Sequence, residues 1–566
     1  MKKVIPVAIA LILIILIAGL TFGKQIMEKY SYSNERRSLT EYYDYDGEHI
    51  ALMVQDELLE ERGLLRNNIL YFHLGFIHEY FSDNFYVDRI EQTLLFTTPT
   101  EVKRAGFGEN APWSYDFGLD QAYTAVFVEE DVIYVAADYI KLFCNFSYDL
   151  YDSHVQIYTQ WGVRELMTIT QDTHLRVLGG IKSDILCDLT KGDQVEILEE
   201  METWSKVKTS DSVIGYVENK RLSDKTTDLE TPVTDVPAFD YTSLTLEKKI
   251  CLGWHAIGGE AGNDTLTSVA SAAEGMNVIA PTWFSLCDEE GNFRSYASAS
   301  YVERAHNLDL MVWGVWDDFN YSLDEDTPLD LYKVLSSSTI RTHMIENMIQ
   351  ASLELSVDGI NLDFEKIGAD TGPHYIQFLR ELSVSCRNAG LILSIDNYVP
   401  FQYNDYYRLD IQGQIADYVI IMGYDEHWSG SNDPGSVASI GYVKNGITKT
   451  LEDVPSAKVI NALPFYTILW KIDGAQVQDE YLTIRNTEDF LDNHSSIEPV
   501  WDEETCQNYM EWETNSGLYR IWLEDERSIG VKLNVMNVNN LGGVAIWRLG
   551  YGNEAVWKLI RNYAKS

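Results

Sequence analysis

Eight short apolar runs, alternating with helix-patterned stretches, occupy the second half of the chain and constrain its fold more than any other feature. They are KICLGWHA (249–256), NVIAPTWF (277–284), DLMVWGVW (309–316), VDGINLDFE (357–365), LILSIDNY (391–398), DYVIIMGYD (417–425), KVINALPF (458–465) and GGVAIWRL (542–549). Stretches such as IRTHMIENMIQASLEL (340–355) and YIQFLRELSVSCRNAG (375–390) lie between them. In the second, apolar residues recur at spacings of three and four, and Gly390 stands where the helix should end. Strands that alternate with crossover helices build a parallel sheet, and eight of them predict an α/β fold closed as a (β/α)8 TIM barrel. The stretch 466–541 is long for one connection. It is expected to form an inserted subdomain on the barrel rim, rich in aromatics such as Trp501, Tyr509, Trp512 and Trp522.

In such a barrel the chemistry sits at the C-terminal ends of the strands. The fourth run ends Asn361-Leu362-Asp363-Phe364-Glu365. Side chains alternate along a strand, so Asn361, Asp363 and Glu365 share one face and Leu362 and Phe364 the other. The apolar pair belongs against the helices, which turns the polar three toward the barrel mouth. Two carboxylates this close perturb each other, and one is expected to hold a proton near neutral pH and act as a general acid. A lone Asp-x-Glu is as readily a cap or a salt-bridge cluster. Here it coincides with a polar end on the sixth run, Met422-Gly423-Tyr424-Asp425, and an aromatic, Trp547, ending the eighth. An aromatic floor beneath acidic groups suits a sugar ring, whose C–H face stacks on π systems.

The first half is modular. Met1-Lys2-Lys3 precedes an uncharged apolar run from Val4 to Gly23. About 20 apolar residues span a bilayer as a helix, and the lysines keep the N-terminus inside. Residues 1–23 are therefore expected to be a signal anchor that leaves the rest outside a cell membrane; a cleaved signal would instead give a secreted protein. Residues 24–41 read as a polar spacer. Residues 42–160 read as a small α+β domain, with a hairpin expected in YTAVFVEEDVIYVAADYIKLF (123–143), where Glu-Glu-Asp splits two β-rich runs. That hairpin and the following helix are similar to the N-terminal domain of some copper amine oxidases, a likeness that implies no copper. Residues 166–224 carry short strands at near-even spacing, as in a small all-β barrel. Their order of LR, KG-x-x-V, W-x-K-V and GYV, with Trp204 and Tyr216, resembles the bacterial SH3 family, which implies binding to cell-wall peptide or glycan. A rigid spacer is the alternative. Residues 225–246, rich in Thr, Asp and Pro, read as a linker into a catalytic domain over 247–566.

Charge narrows the partners. Of 566 residues, 43 are Lys or Arg and 87 are Asp or Glu, a formal net charge of −44. Such a surface repels phosphate backbones, so nucleic acid is not an expected partner, and any wall binding must use stacking and hydrogen bonds. The six cysteines are scattered singly, with neither a disulfide framework nor a zinc ribbon. His255, His374 and His427 have no zinc-ligand spacing, so neither metal nor cofactor is expected.

Asp358-Gly359-Ile360-Asn361-Leu362-Asp363-Phe364-Glu365 resembles the DxxDxDxE signature of glycoside hydrolase family 18. Met422-x-Tyr424-Asp425 resembles that family's second motif, and Trp547 its strand-eight tryptophan. The similarity covers about 249–560, and APTWF (280–284), MGYDEHW (422–428), LPFY (463–466) and GGVAIW (542–547) resemble the branch with bacterial spore-cortex-lytic N-acetylglucosaminidases. The resemblance implies a retaining mechanism in which the substrate's own acetamide is the nucleophile. It implies Glu365 as acid and base, Asp363 and Tyr424 as residues that orient the acetamide, and Asp425 as the residue that holds the distorted sugar. It implies further substrate contacts at Asn361, Met422, Trp547, Trp283 and Tyr466. Asn361 replaces the first inward acid of the common motif, which puts rate and pH optimum in question. Asp358 should face away, in a structural role. The expected substrate is peptidoglycan; chitin oligosaccharides, or a non-catalytic glycan-binding role, are the alternatives.

Overall fold

A computed structural model describes residues 27, 29–108, 123–319 and 329–565, in two compact units. The expected signal anchor lies outside the described residues, and among these no helix is long and apolar enough to cross a membrane.

The first unit comprises residues up to Phe85 together with Ala105–Ala238. Its α+β part is a seven-stranded sheet, antiparallel except where His49–Val54 runs parallel to His154–Tyr158. The expected hairpin is Val126–Glu129 against Val132–Ala136. It turns at Glu130 and Asp131, both left-handed with φ of 49° and 67°, the backbone that a two-residue turn between twisted strands requires. The SH3-like part is a second sheet of seven short strands around Ile169, Leu175, Val195, Val207 and Val217. Trp204 and Tyr216 are half-buried there.

Two boundaries differ from expectation. The spacer over 24–41 is in part ordered: Ser33, Glu35 and Arg37 exchange backbone hydrogen bonds with Ile181 and Ile185. The linker starts late, because Thr226–Leu229 pairs with Val163–Leu166 as a strand of the SH3-like sheet. It also ends early. Leu244 N–H donates to the Asp417 carboxylate and Leu246 N–H to the Tyr418 hydroxyl, which ties 239–246 to the second unit.

The second unit is the barrel. Its strands are β1 Ile250–His255, β2 Val278–Leu286, β3 Met311–Asp317, β4 Gly359–Asp363, β5 Ile392–Tyr398, β6 Tyr418–Met422, β7 Val459–Pro464 and β8 Gly543–Trp547. All neighbours pair in parallel, and β1 pairs with both β2 and β8, so the sheet closes. The connections carry α1 Leu266–Ala270, α2 Ala299–His306, α3 Ser338–Leu355, α4 Gly372–Ala389, α5 Leu409–Ile415, α6 Ile440–Asp453 and α7 Glu526–Val538, and α8 Glu554–Ala564 follows β8. Gly390 caps α4 with φ 71°, as its place in the sequence predicts. The rim insertion is a five-stranded antiparallel sheet from Tyr466 to Leu523. It is shorter than expected, because α7 is itself a barrel crossover.

Residues 86–104 depart most from the predicted domains. Expected inside the first α+β domain, they belong to the second unit. The three-stranded sheet containing them packs on α3 and α4. Asp88, fully buried, accepts from the backbone N–H and hydroxyl of Ser338 at the start of α3. The Tyr86 hydroxyl lies 2.6 Å from His374 Nδ1 and accepts from Arg341 at 3.3 Å. Arg341 is itself buried and paired with Glu381 of α4 at 3.0 Å.

Candidate active site

Strand register places the site. Asp317 pairs with Asp363, Asn361 with Ser394, and Tyr398 with Met422. Paired residues of neighbouring strands share a face, so these side chains point into the barrel. Asp363 ends β4, and Glu365 follows two residues later in the loop. The backbone N–H groups of Glu365 and Lys366 donate to the carboxylate of Asp318 at 3.1 and 2.8 Å, which fixes the turn that carries Glu365. The Tyr398 hydroxyl, from the end of β5, donates to Glu365 Oε2.

The surroundings of Glu365 are acidic and poorly hydrated. Burial pushes its carboxyl up to about 7; the hydrogen bond from Tyr398 pulls it down, and Asp318, Asp425 and Asp317 push it further up. Asp363 is raised well above the usual carboxylate range by burial first, then by Glu365, Asp396, Asp317 and Asp318. Burial likewise raises Asp317, to about 6. At neutral pH this cluster therefore holds protons that exposed carboxyls would have lost.

The sixth strand supplies the facing wall. Tyr424 is buried, and its hydroxyl resists ionisation because of that burial. Asp425 adopts φ 60°, an uncommon backbone for a non-glycine residue, and accepts from the Tyr466 hydroxyl at the root of the rim insertion. Trp547 ends β8, half-exposed, with its ring 6.0 Å from Trp254. Trp254 Nε1 donates to Asn361 Oδ1 at 2.8 Å. Asn361 is fully buried beneath Asp363, so it underlies the site and is not open to a substrate. Met422, buried, also sits on the inward face.

Trp283 is a correction. It was expected to contact substrate, but its register neighbour Thr282 faces inward and a bulge follows before Phe284. Trp283 therefore turns outward, where Nε1 donates to Asn263 and the ring packs edge-on against Tyr301 of α2. Asp358 faces away as expected, accepting from Val312 N–H and lying 2.9 Å from His306. His255 packs between Tyr301 and Thr265, and His427 lies 2.8 Å from the Asp433 carbonyl.

Four polar residues of the mouth were not singled out from sequence: Asp317, Asp318, Asp396 and Tyr398. A cavity of about 780 Å3 lies beside Tyr398, lined by 397–398, 400–402 and 404–410 and by Asn445, Lys449, Glu452 and Asp453 of α6. The carboxylates named above are not in its lining, so volume alone does not locate the site.

Residues 213–552, more than half of the chain, match the family described as Glycosyl hydrolases family 18. The chain belongs to this family. Residues 173–223 match the bacterial SH3 domain. Among curated family relatives, the uncharacterized glycosylase YvbX of Bacillus subtilis is 24% identical over 304 residues, 51% of this chain and 85% of that protein. The cortical fragment-lytic enzyme of Bacillus anthracis is 26% identical over 274 residues, 46% of this chain and 61% of that enzyme's length. Among solved structures, the Bacillus cereus spore cortex-lytic enzyme SleL superposes with a TM-score of 0.50 at 20% identity, over 55% of this chain and 73% of that one. This family member is a glycoside hydrolase built on a closed eight-stranded parallel barrel.

Proposed function

We propose that the protein hydrolyses β-1,4 bonds of N-acetylglucosamine-containing glycans, with peptidoglycan as the substrate, by substrate-assisted retaining catalysis. The observation that carries this reading is the state of Glu365: a carboxyl raised to about 7, hydrogen-bonded to Tyr398 and two residues from Asp363. Such a group protonates a leaving oxygen at neutral pH. In the proposed sequence Glu365 gives its proton to the glycosidic oxygen as the bond to the anomeric carbon breaks. The oxygen of the substrate's 2-acetamido group bonds to that carbon, and an oxazolinium ion forms. Glu365, now a carboxylate, takes a proton from the water that opens the ring, and the anomeric configuration is retained. Asp363 accepts the acetamide N–H as positive charge develops there. Tyr424 donates to the acetamide oxygen and aligns it. Asp425, held by Tyr466, binds the distorted sugar, and Trp547 forms its floor.

Peptidoglycan is favoured over chitin by the SH3-like module and by the relatives named for spore cortex. In this reading the module docks on wall peptide or glycan, and the N-terminal segment tethers the catalytic unit outside the membrane, or is cleaved to release it.

The test is mass spectrometry of products from peptidoglycan and from chitin oligosaccharides, with the full chain beside Glu365→Gln. New reducing-end N-acetylglucosamine from peptidoglycan, absent with the variant, is the expected result. Cleavage of chitin oligosaccharides alone would make the enzyme a chitinase. Retention of intact oligosaccharide without products would make it a binding protein.

A further inference from the structure

The motif position that usually carries an acid beneath Asp363 holds Asn361, yet a carboxylate stands beside it on the next strand. Asp396 is 2% exposed on β5. Its Oδ1 accepts from Asn361 Nδ2 at 2.8 Å, while Asn361 Oδ1 is taken by Trp254 and Nδ2 also reaches Ser394 at 3.1 Å. The register Leu362 with Ile395 makes Asp363 and Asp396 the next residues on adjacent parallel strands, both on the inward face. Neighbouring strands lie about 4.8 Å apart. Among the described residues, two oxygens here are buried without a hydrogen-bond partner, Asp363 Oδ1 and Asp396 Oδ2. Each is an acceptor while both acids are ionised. One proton placed between them satisfies both.

We infer that Asp396 is a positioning acid that takes over, from β5, the proton-holding place vacated by Asn361. This inference rests on the catalytic reading above. With its proton on Oδ2, Asp396 donates to Asp363 Oδ1 and leaves the other Asp363 oxygen free, as a carboxylate, for the acetamide N–H. Nothing is exchanged with water: the proton stays on Asp396 while Asp363 meets the developing positive charge. The groups that face the pair fit this arrangement. The charges acting on Asp363 are the carboxylates Glu365, Asp396, Asp317 and Asp318. The charge acting on Asp396 is that of Glu365, and Ile420, opposite it on β6, is apolar. The nearby cations serve other acids, Lys366 acting on Asp318 and Arg294 on Asp317. Two adjacent buried acids with no cation of their own do not both ionise at neutral pH.

The test uses the full chain, chitin oligosaccharides and three variants: Asp396→Asn, Asn361→Asp, and the double exchange. In Asp396→Asn a weaker amide N–H donor replaces the retained acid proton, so Asp363 ionises less readily. The acidic limb of kcat/KM is expected to move up by about one pH unit, and the double exchange, which returns the acid to the motif position, is expected to bring the limb back. Asn361→Asp alone adds a third acid and is expected to move the limb up. An unchanged limb in Asp396→Asn, or no return in the double exchange, would overturn the inference. Thermal unfolding against pH tests it apart from catalysis. Raised carboxyls make the folded state bind more protons than the unfolded chain, so Tm falls as pH rises above about 4; Asp396→Asn should flatten that fall. A parallel Tm profile would sink the inference. If the wild type hydrolyses nothing while the Tm profile flattens, the catalytic reading fails and the shared proton stands.

Discussion

Glu365 is tuned from two directions, and removing either side gives a signed outcome. The Tyr398 hydrogen bond favours its carboxylate and so lowers its pKa against the effect of burial. Tyr398→Phe is expected to raise that pKa. Since Glu365 must be protonated to act as acid, the alkaline limb of kcat should move to higher pH by about one unit. A limb that moves down, measured over pH 5 to 9, would show that Tyr398 has another role. The residue scale also shows what a sequence can reveal. Asp363, Glu365, Tyr424, Asp425 and Trp547 were legible because each closes an apolar run, where barrel geometry places chemistry. Asp396 and Tyr398 stand inside the fifth run, LILSIDNY, where nothing in the run itself sets them apart. Their importance arises from what stands on the adjacent strand, which strand alternation does not reveal. Asp317 was missed because the third run was read as ending at Trp316, one residue short. Trp283 was expected at the substrate from the resemblance alone; alternation from the inward-facing Thr282 already turns it outward.

The elements themselves were largely visible. Six of the eight strands fall within the apolar runs, and the second and third overrun theirs by two residues and one, since a strand covered on both faces must be apolar nearly throughout. The helices follow their spacing of three and four, and Gly390 ends α4 where it should. What was not visible is how α3 begins. Its first turn is capped by Ser337, its own N-cap, and by Asp88, some 250 residues away in sequence. Asp88 also accepts from the N–H groups of Ile90 and Glu91, which shape the turn that presents it. The anion meets the positive end of α3. Asp88→Ala leaves those donors without a partner in a buried place and is expected to cost about 2–4 kcal/mol. Urea unfolding followed by tryptophan fluorescence measures it; a loss under about 0.5 kcal/mol would mean that water replaces the carboxylate.

At the scale of the whole molecule the sequence was least legible. Motif order marks the SH3-like module, and composition marks only the middle of the linker, whose two ends belong to the units on either side. Neither marks 86–104, whose β-rich text looks like that of the domain around it. The assignment depends on long-range packing: Leu94, Leu95 and Phe96 are fully buried, Gln377 donates to Thr97, and Arg387 reaches the Pro99 carbonyl at 2.6 Å. A fragment starting at residue 239 keeps every carboxylate of the mouth and loses this sheet. It is expected to hydrolyse oligosaccharides with a shorter half-life at 45 °C than the full chain. Equal half-lives would show the sheet to be dispensable.

That arrangement bears on how such a gene can be rearranged. A crossover at the linker would hand a new host a barrel stripped of the segment that closes over Arg341 and Glu381. Residues 86–104 and the barrel they pack on must therefore be inherited together, however far apart they stand in the sequence. The SH3-like module is no freer: Leu39 and Tyr42 pack against its core and its Ile214 lies in one cluster with Tyr43, Ala51 and Met53, so it is inherited with the α+β sheet of the first unit.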